Sequence, residues 1–213
     1  MIITYEGAEF FKVQYGDVVL ALNPISKSSK LKARRFGADI VLVTANHPDF
    51  NGIDSVTLGD KKPFVISGPG EYEYKGVVVS GLASETEFAG EKRLNTIYLI
   101  SLEGINLCFL GALSKRELSA HIAESIEEVD VLFVPIGGEG VLAPAESYEL
   151  AVSLEPKLII PMHYGLVGGK GVLDVFLKEG GVEKGAERLE KLTIKKKDIE
   201  GKEGEIVLLS ASE

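Results

Sequence analysis

The sequence predicts an α/β fold in which two β-sheets pack face to face with helices outside. Three observations carry this. The first hundred residues read as short β-rich runs cut by Gly, Asn and Asp turns. The second half alternates strand, helix and strand. The 213-residue chain is 45% hydrophobic and 26% charged, which gives a sizeable core to one domain over residues 1–213.

Residues 2–5, 10–14 and 18–22 are predicted strands, broken by Gly7 and by a hairpin at Gly16-Asp17. Asn23-Pro24 stops the third. Residues 27–36 read as a short helix closed by Gly37. The apolar run 40–44 is a buried strand, and 55–58 and 64–66 are further short strands. Gly68-Pro69-Gly70 is a tight turn. Strands follow over 72–82, 96–102 and 105–110, the last two joined at Glu103-Gly104. Residues 114–129 are helical, with Ser114 as N-cap, Glu117 completing a capping box, and Leu118, Ile122, Ile126 and Val129 on one face. Residues 131–135 form a strand and 144–154 a helix with Pro in its first turn. A strand over 158–161 runs into Met162-His163-Tyr164. Residues 172–178 are helical, and 192–195 and 205–209 close the chain as strands.

The formal net charge of -9 repels a free polyanion overall. Only the patch Lys27, Lys30, Lys32, Arg34 and Arg35 could reverse that locally, and the simpler reading is the solvated face of a helix. Nucleic acid is therefore not expected as a partner. Cys108 is the sole cysteine and sits in an apolar run as a core side chain. No apolar run approaches the length of a membrane span, so the expectation is a cytoplasmic protein without membrane contact.

The chemistry concentrates in Val41-Leu42-Val43-Thr44-Ala45-Asn46-His47-Pro48-Asp49-Phe50. A buried strand that ends in a His-x-Asp pair is where metallohydrolases place ligands. The stretch resembles the metallo-β-lactamase superfamily, whose signature at this point is His-x-His-x-Asp-His. His47 and Asp49 match it, while Ala45 and Phe50 stand where the outer two His would be. Three more segments extend the resemblance to nearly the whole chain. They are residues 2–24, ending in Asn23-Pro24 where the branch has Asp-Pro, then Leu110-Gly111-Ala112 where it has Leu-Gly-Asp, and Pro161-Met162-His163-Tyr164. Gly137-Gly138 also matches. The nearest branch is that of the L-ascorbate-6-phosphate lactonases and small predicted zinc hydrolases. The resemblance implies a four-layer αββα sandwich with its site at the loop ends between the sheets.

Of the ligand set implied by the resemblance, His47, Asp49 and His163 remain, and Asp49 would be catalytic only with a metal bound. The replacements Ala45, Phe50, Ala112 and Ala143 are small or apolar, as expected where cations no longer offset clustered acids. Without a metal, Asp49 and His163 would hydrogen-bond or pair with one another. The sequence thus favours a degenerate, non-hydrolytic site with no cofactor, binding an unknown small molecule or protein partner. The alternative is a mononuclear zinc or manganese hydrolase of a small phosphate ester, lactone or related substrate. Other groups weigh less. His121 reads as a surface residue of its helix, Glu71 and Glu73 as edge-strand charges, and the Gly-rich stretches at 137–140 and 165–171 lack the residues of a phosphate loop.

Overall fold

The computed structural model describes every residue except 33, 61, 183, 184 and 213. The chain opens with an antiparallel meander, β1 (Ile2–Gly7), β2 (Phe10–Tyr15) and β3 (Val18–Leu22). A long loop leads to β4 (Ile40–Leu42), which pairs parallel with β3, and the short helix α1 (Ile53–Val56) precedes β5 (Phe64–Ile66). Next come β6 (Gly70–Tyr74), β7 (Val77–Phe88), β8 (Glu91–Leu102) and β9 (Ile105–Phe109), each paired antiparallel with the one before it in this run. Then α2 (Ala120–Ser125), β10 (Val131–Pro135), α3 (Pro144–Ser153), β11 (Leu158–Met162) and α4 (Val172–Glu179) bring parallel pairing to the second half. Four two-residue strands finish the chain: β12 (Arg188–Leu189), β13 (Leu192–Thr193), β14 (Glu205–Ile206) and β15 (Leu208–Leu209).

The first sheet runs β13-β1-β2-β3-β4-β5 and the second β14-β11-β10-β9-β8-β7-β6. Their inner faces share one core, in which Phe11 of the first sheet lies 4.8 Å from Phe133 and 6.4 Å from Phe109 of the second, centroid to centroid. β4 is buried on both faces. Ile40 and Leu42 enter this core, and Val41 joins Phe10, Ala21, Ile25 and Val56 under an outer layer. That explains its unbroken apolar run. α3 packs on α4 and on β10 outside the second sheet. The architecture is the αββα sandwich, with thin helical layers.

Several local expectations need correction. The described residues of 27–36 form turns rather than a helix, and residue 33 lies outside them. Two serines there satisfy the backbone locally, Ser28 N donating to Ser26 Oγ and Leu31 N to Ser29 Oγ, while Lys27 N donates across to Asp54 Oδ2 of α1. Such bonds compete with helical ones. The strand expected over 55–58 is not formed: residues 53–56 are a short helix whose Val56 packs into the outer cluster, tertiary packing overriding the strand preference of Ile53 and Val56. The helix over 114–129 shrinks to Ala120–Ser125. Its cap is Ser119, which accepts from Ile122 N, while Ser114 Oγ accepts from Glu87 N. The strand over 72–82 turns at Lys75-Gly76, and 205–209 divides between two sheets.

Candidate active site at the loop ends

Four strand ends meet at one end of the two sheets, at the floor of the candidate site. The β1–β2 turn brings Glu9, the residue after β3 is Asn23, Thr44 follows β4, and His163 follows β11. His163 Nδ1 lies 2.8 Å from Glu9 Oε1. Asn23 Nδ2 donates to Glu9 Oε2 and to Thr44 Oγ1, each at 2.8 Å, and its Oδ1 accepts from Thr44 N at 2.8 Å. All four residues are buried, and Glu9 has no exposed surface. Burying these groups is tolerable because each has partners. A carboxylate on Nδ1 fixes the imidazole plane and leaves Nε2 as the nitrogen available to a ligand.

The backbone here is held away from its preferred regions. Ala8 (φ 54°), Asn23 (φ 45°) and His163 (φ 61°) are left-handed, and His163 N donates to Ala8 O at 2.6 Å. Each such residue costs about 1 kcal/mol or more, and such strain concentrates at functional sites. Gly137 is required beside them, since a Cβ there would come within 2.4 Å of His163 Cδ2.

Above the floor lies an apolar cluster of Ala45, Phe50, Phe88, Ala112 and Val141. Phe88, at the tip of the β7–β8 hairpin, has its ring 5.0 Å from that of His47 and 5.7 Å from that of His163. The ring of Phe50 lies 4.8 Å from that of Phe88, tilted by 54°, and also neighbours both imidazoles. Asn95 braces this layer, bonding Leu110 O and Ala112 N through its amide.

His47 and Asp49 form the mouth, each side chain one-fifth exposed. Asp49 N donates to His47 Nδ1 at 3.2 Å, and the Asp49 carboxylate lies 3.6 Å from that nitrogen. Ser29 Oγ donates to Asp49 Oδ1 at 2.5 Å. On the other side Arg93 Nη1 donates to Asn46 O at 2.9 Å.

The structure therefore brings His47 and Asp49 together and sets His163 below them, with Phe88 touching both imidazoles. His163 pairs with Glu9, where a bond to Asp49 was expected. Sequence reasoning missed Glu9; its signal was a single acid placed between Ala8 and the apolar Phe10-Phe11. His121 is exposed on α2, and Glu71 and Glu73 are exposed on the edge strand β6, as read from sequence. A metal ion can be tested against these residues directly. Among the described residues, no three His, Cys, Asp or Glu side chains are grouped as they would be round one ion. Glu9 occupies His163 Nδ1 and phenylalanine rings fill the middle, so the donors present do not fit a closed three-ligand centre.

The model of the β-lactamase superfamily domain matches residues 2–163. A solved structure from Thermotoga maritima, described as a proposed Zn-dependent hydrolase of the metallo-β-lactamase superfamily, is 30% identical, with a TM-score of 0.76 over 98% of this chain and 97% of that one. A UPF0173 metal-dependent hydrolase of Lysinibacillus sphaericus is 24% identical over 77% of this chain and 85% of its own length. A UPF0173 protein of Pyrococcus abyssi is 38% identical over 52 residues, 24% of each chain. The expectation of a non-hydrolytic protein is overturned by the Lysinibacillus sphaericus relative, named a metal-dependent hydrolase, and by the Thermotoga maritima protein, described as a proposed Zn-dependent hydrolase. The expectation of no cofactor gains no support from them either. The fold, the matched residues and the long-range similarity together place the chain in the β-lactamase superfamily.

Proposed function

We propose that the chain is a cytoplasmic hydrolase of a small phosphate ester, lactone or related substrate, in the metal-dependent class for which its relatives are named. The observation that carries this is the 30% identity, across nearly the full length of both chains, to the Thermotoga maritima protein. His47 and Asp49 lie together at the surface, and the rings of Phe50 and Phe88 separate them from His163. Zinc or manganese is the ion proposed for that class. The donors here do not close round one ion, so no step is assigned to it.

The chain's own residues have definable tasks. His47 and Asp49 are the polar groups a substrate meets first, being partly exposed at the mouth. Phe50, Phe88 and Val141 keep water from the floor, which strengthens polar contacts made there. Glu9 and Asn23 hold the imidazole of His163 in one orientation.

A hydrolysis screen tests this reading. Protein purified without affinity metal would be assayed on phosphate monoesters and lactones, with and without chelator and added zinc or manganese. Turnover above a mock purification supports it, and loss of turnover on chelation assigns it to an ion. Absence of turnover on every ester and lactone, with either metal supplied, contradicts it.

A further inference from the structure

We infer that the turn Asn46–Asn51 is an oxyanion subsite, with Arg93 as the residue that reads a phosphate group. This rests on the hydrolase reading and names the substrate class for the same mouth.

Two positively charged elements are each hydrogen-bonded to this one turn. One is the 25–32 loop. Ser26 N donates to Pro48 O at 2.8 Å, Ser29 Oγ bonds Asp49, and Gly52 has no room for a Cβ because the Ile25 backbone lies 2.2 Å from where it would sit. That loop carries Lys27 and Lys30, both exposed and neither in an ion pair with a described residue. The other is Arg93 of β8, tied through Nη1 to Asn46 O. The overall charge of -9 gives no long-range attraction for an anion, so recognition has to be local.

The guanidinium is poised for a ligand. Its Nη2 donates to Glu91 Oε2, and Glu91 is 68% exposed on the same strand. Its Nε is buried and has no hydrogen-bond partner. Nε and Nη2 form the edge that grips an oxyanion with two parallel bonds. Here that edge holds one carboxylate oxygen by one nitrogen, and an exposed glutamate is readily displaced. Asn51 Oδ1 is a second buried atom without a partner, on a residue whose Nδ2 donates to Asn46 Oδ1 at 3.1 Å. A phosphate monoester supplies what both orphans lack: oxygens for Nε and, in its monoanionic form, a hydroxyl for Oδ1. A neutral lactone supplies no charge for the arginine.

The test is titration of the full chain with inorganic phosphate at constant ionic strength, read by calorimetry and by melting temperature, with chloride as the control. Wild type should bind saturably. Arg93→Gln should weaken binding about tenfold or more, the weight of a charge-assisted fork. Glu91→Gln leaves the Arg93–Asn46 bond in place and should tighten binding, which keeps the test decisive if Arg93→Gln folds poorly. No saturable phosphate binding, or equal binding by wild type and both variants, overturns the inference. Phosphate binding without turnover of any ester or lactone would leave this subsite standing and remove the hydrolase reading. Lactone turnover without phosphate binding would do the reverse.

Discussion

Glu9 carries two buried donors and no exposed surface. Truncation to alanine strands His163 Nδ1 and leaves Asn23 Nδ2 with Thr44 Oγ1 as its one remaining acceptor. Glu9→Ala should therefore cost about 3 kcal/mol in urea unfolding, the scale of a broken buried network. Glu9→Ala with His163→Ala should cost clearly less than the sum of the two, since the second change removes a group the first orphaned. Full additivity would show that the pair does not act as a unit. Gly137 is the matching test of shape. Gly137→Ala drives a methyl to 2.4 Å from His163 Cδ2 and 2.7 Å from His163 O. A loss of about 2 kcal/mol or more, with perturbed His163 imidazole signals in NMR, is expected from such overpacking. Unchanged stability and imidazole signals would mean the cleft floor is looser than its contacts indicate. At this scale the sequence was partly legible. His47, Asp49 and His163 were singled out by residue type and motif, and the fold sets His47 beside Asp49 but pairs His163 with Glu9. Glu9 did not, because nothing local tells a buried acid from a turn acid when its partner lies 154 positions away.

Among elements, the starts of β9, β10 and β11 are gathered on Asp130, which is fully buried. It accepts from Asn106 N at 2.8 Å, Lys157 Nζ at 2.6 Å and Lys196 Nζ at 2.7 Å. Burial raises its pKa, but the hydrogen bonds from Lys157, Lys196 and the Asn106 amide outweigh this, and the carboxyl sits below its usual value. A depressed folded-state pKa means stability that is present above the unfolded carboxylate pKa of about 3.9 and lost as pH falls through the folded value. Asp130→Asn should cost about 2 kcal/mol at pH 7, the lysines being able to turn to solvent. The gap from wild type should narrow below about pH 4 as the wild-type carboxyl takes up its proton. A gap of constant size from pH 7 to pH 3 in urea unfolding would show that charge is not the cause. Element type was most legible where burial sets the pattern, as in β4 and β10, whose apolar runs are buried throughout. It was least legible where side chains compete with the backbone. The serines at 26, 28 and 29 undo the helix expected there, and Ser114 serves the β7 backbone instead of capping a helix.

For the whole molecule, two sheets and their shared core follow from composition, strand rhythm and spaced motifs, and the family match bears this out. What does not follow is how the cleft is filled. Ala45, Phe50 and Ala112 stand where ligands were expected, yet only the fold shows that they combine with Phe88 and Val141 into one apolar layer. No helix among the described residues is long and apolar enough to cross a membrane. The function proposed from these facts is hydrolysis beside His47 and Asp49, with a phosphate group as the proposed anionic handle. The most direct test is the turnover of the best ester or lactone by purified wild type beside His47→Ala and Asp49→Asn, each checked for an unchanged melting temperature. Loss of about a hundredfold or more in both variants is the predicted result, the scale of a removed catalytic group. Turnover that survives intact in both would place the chemistry elsewhere and contradict the assignment.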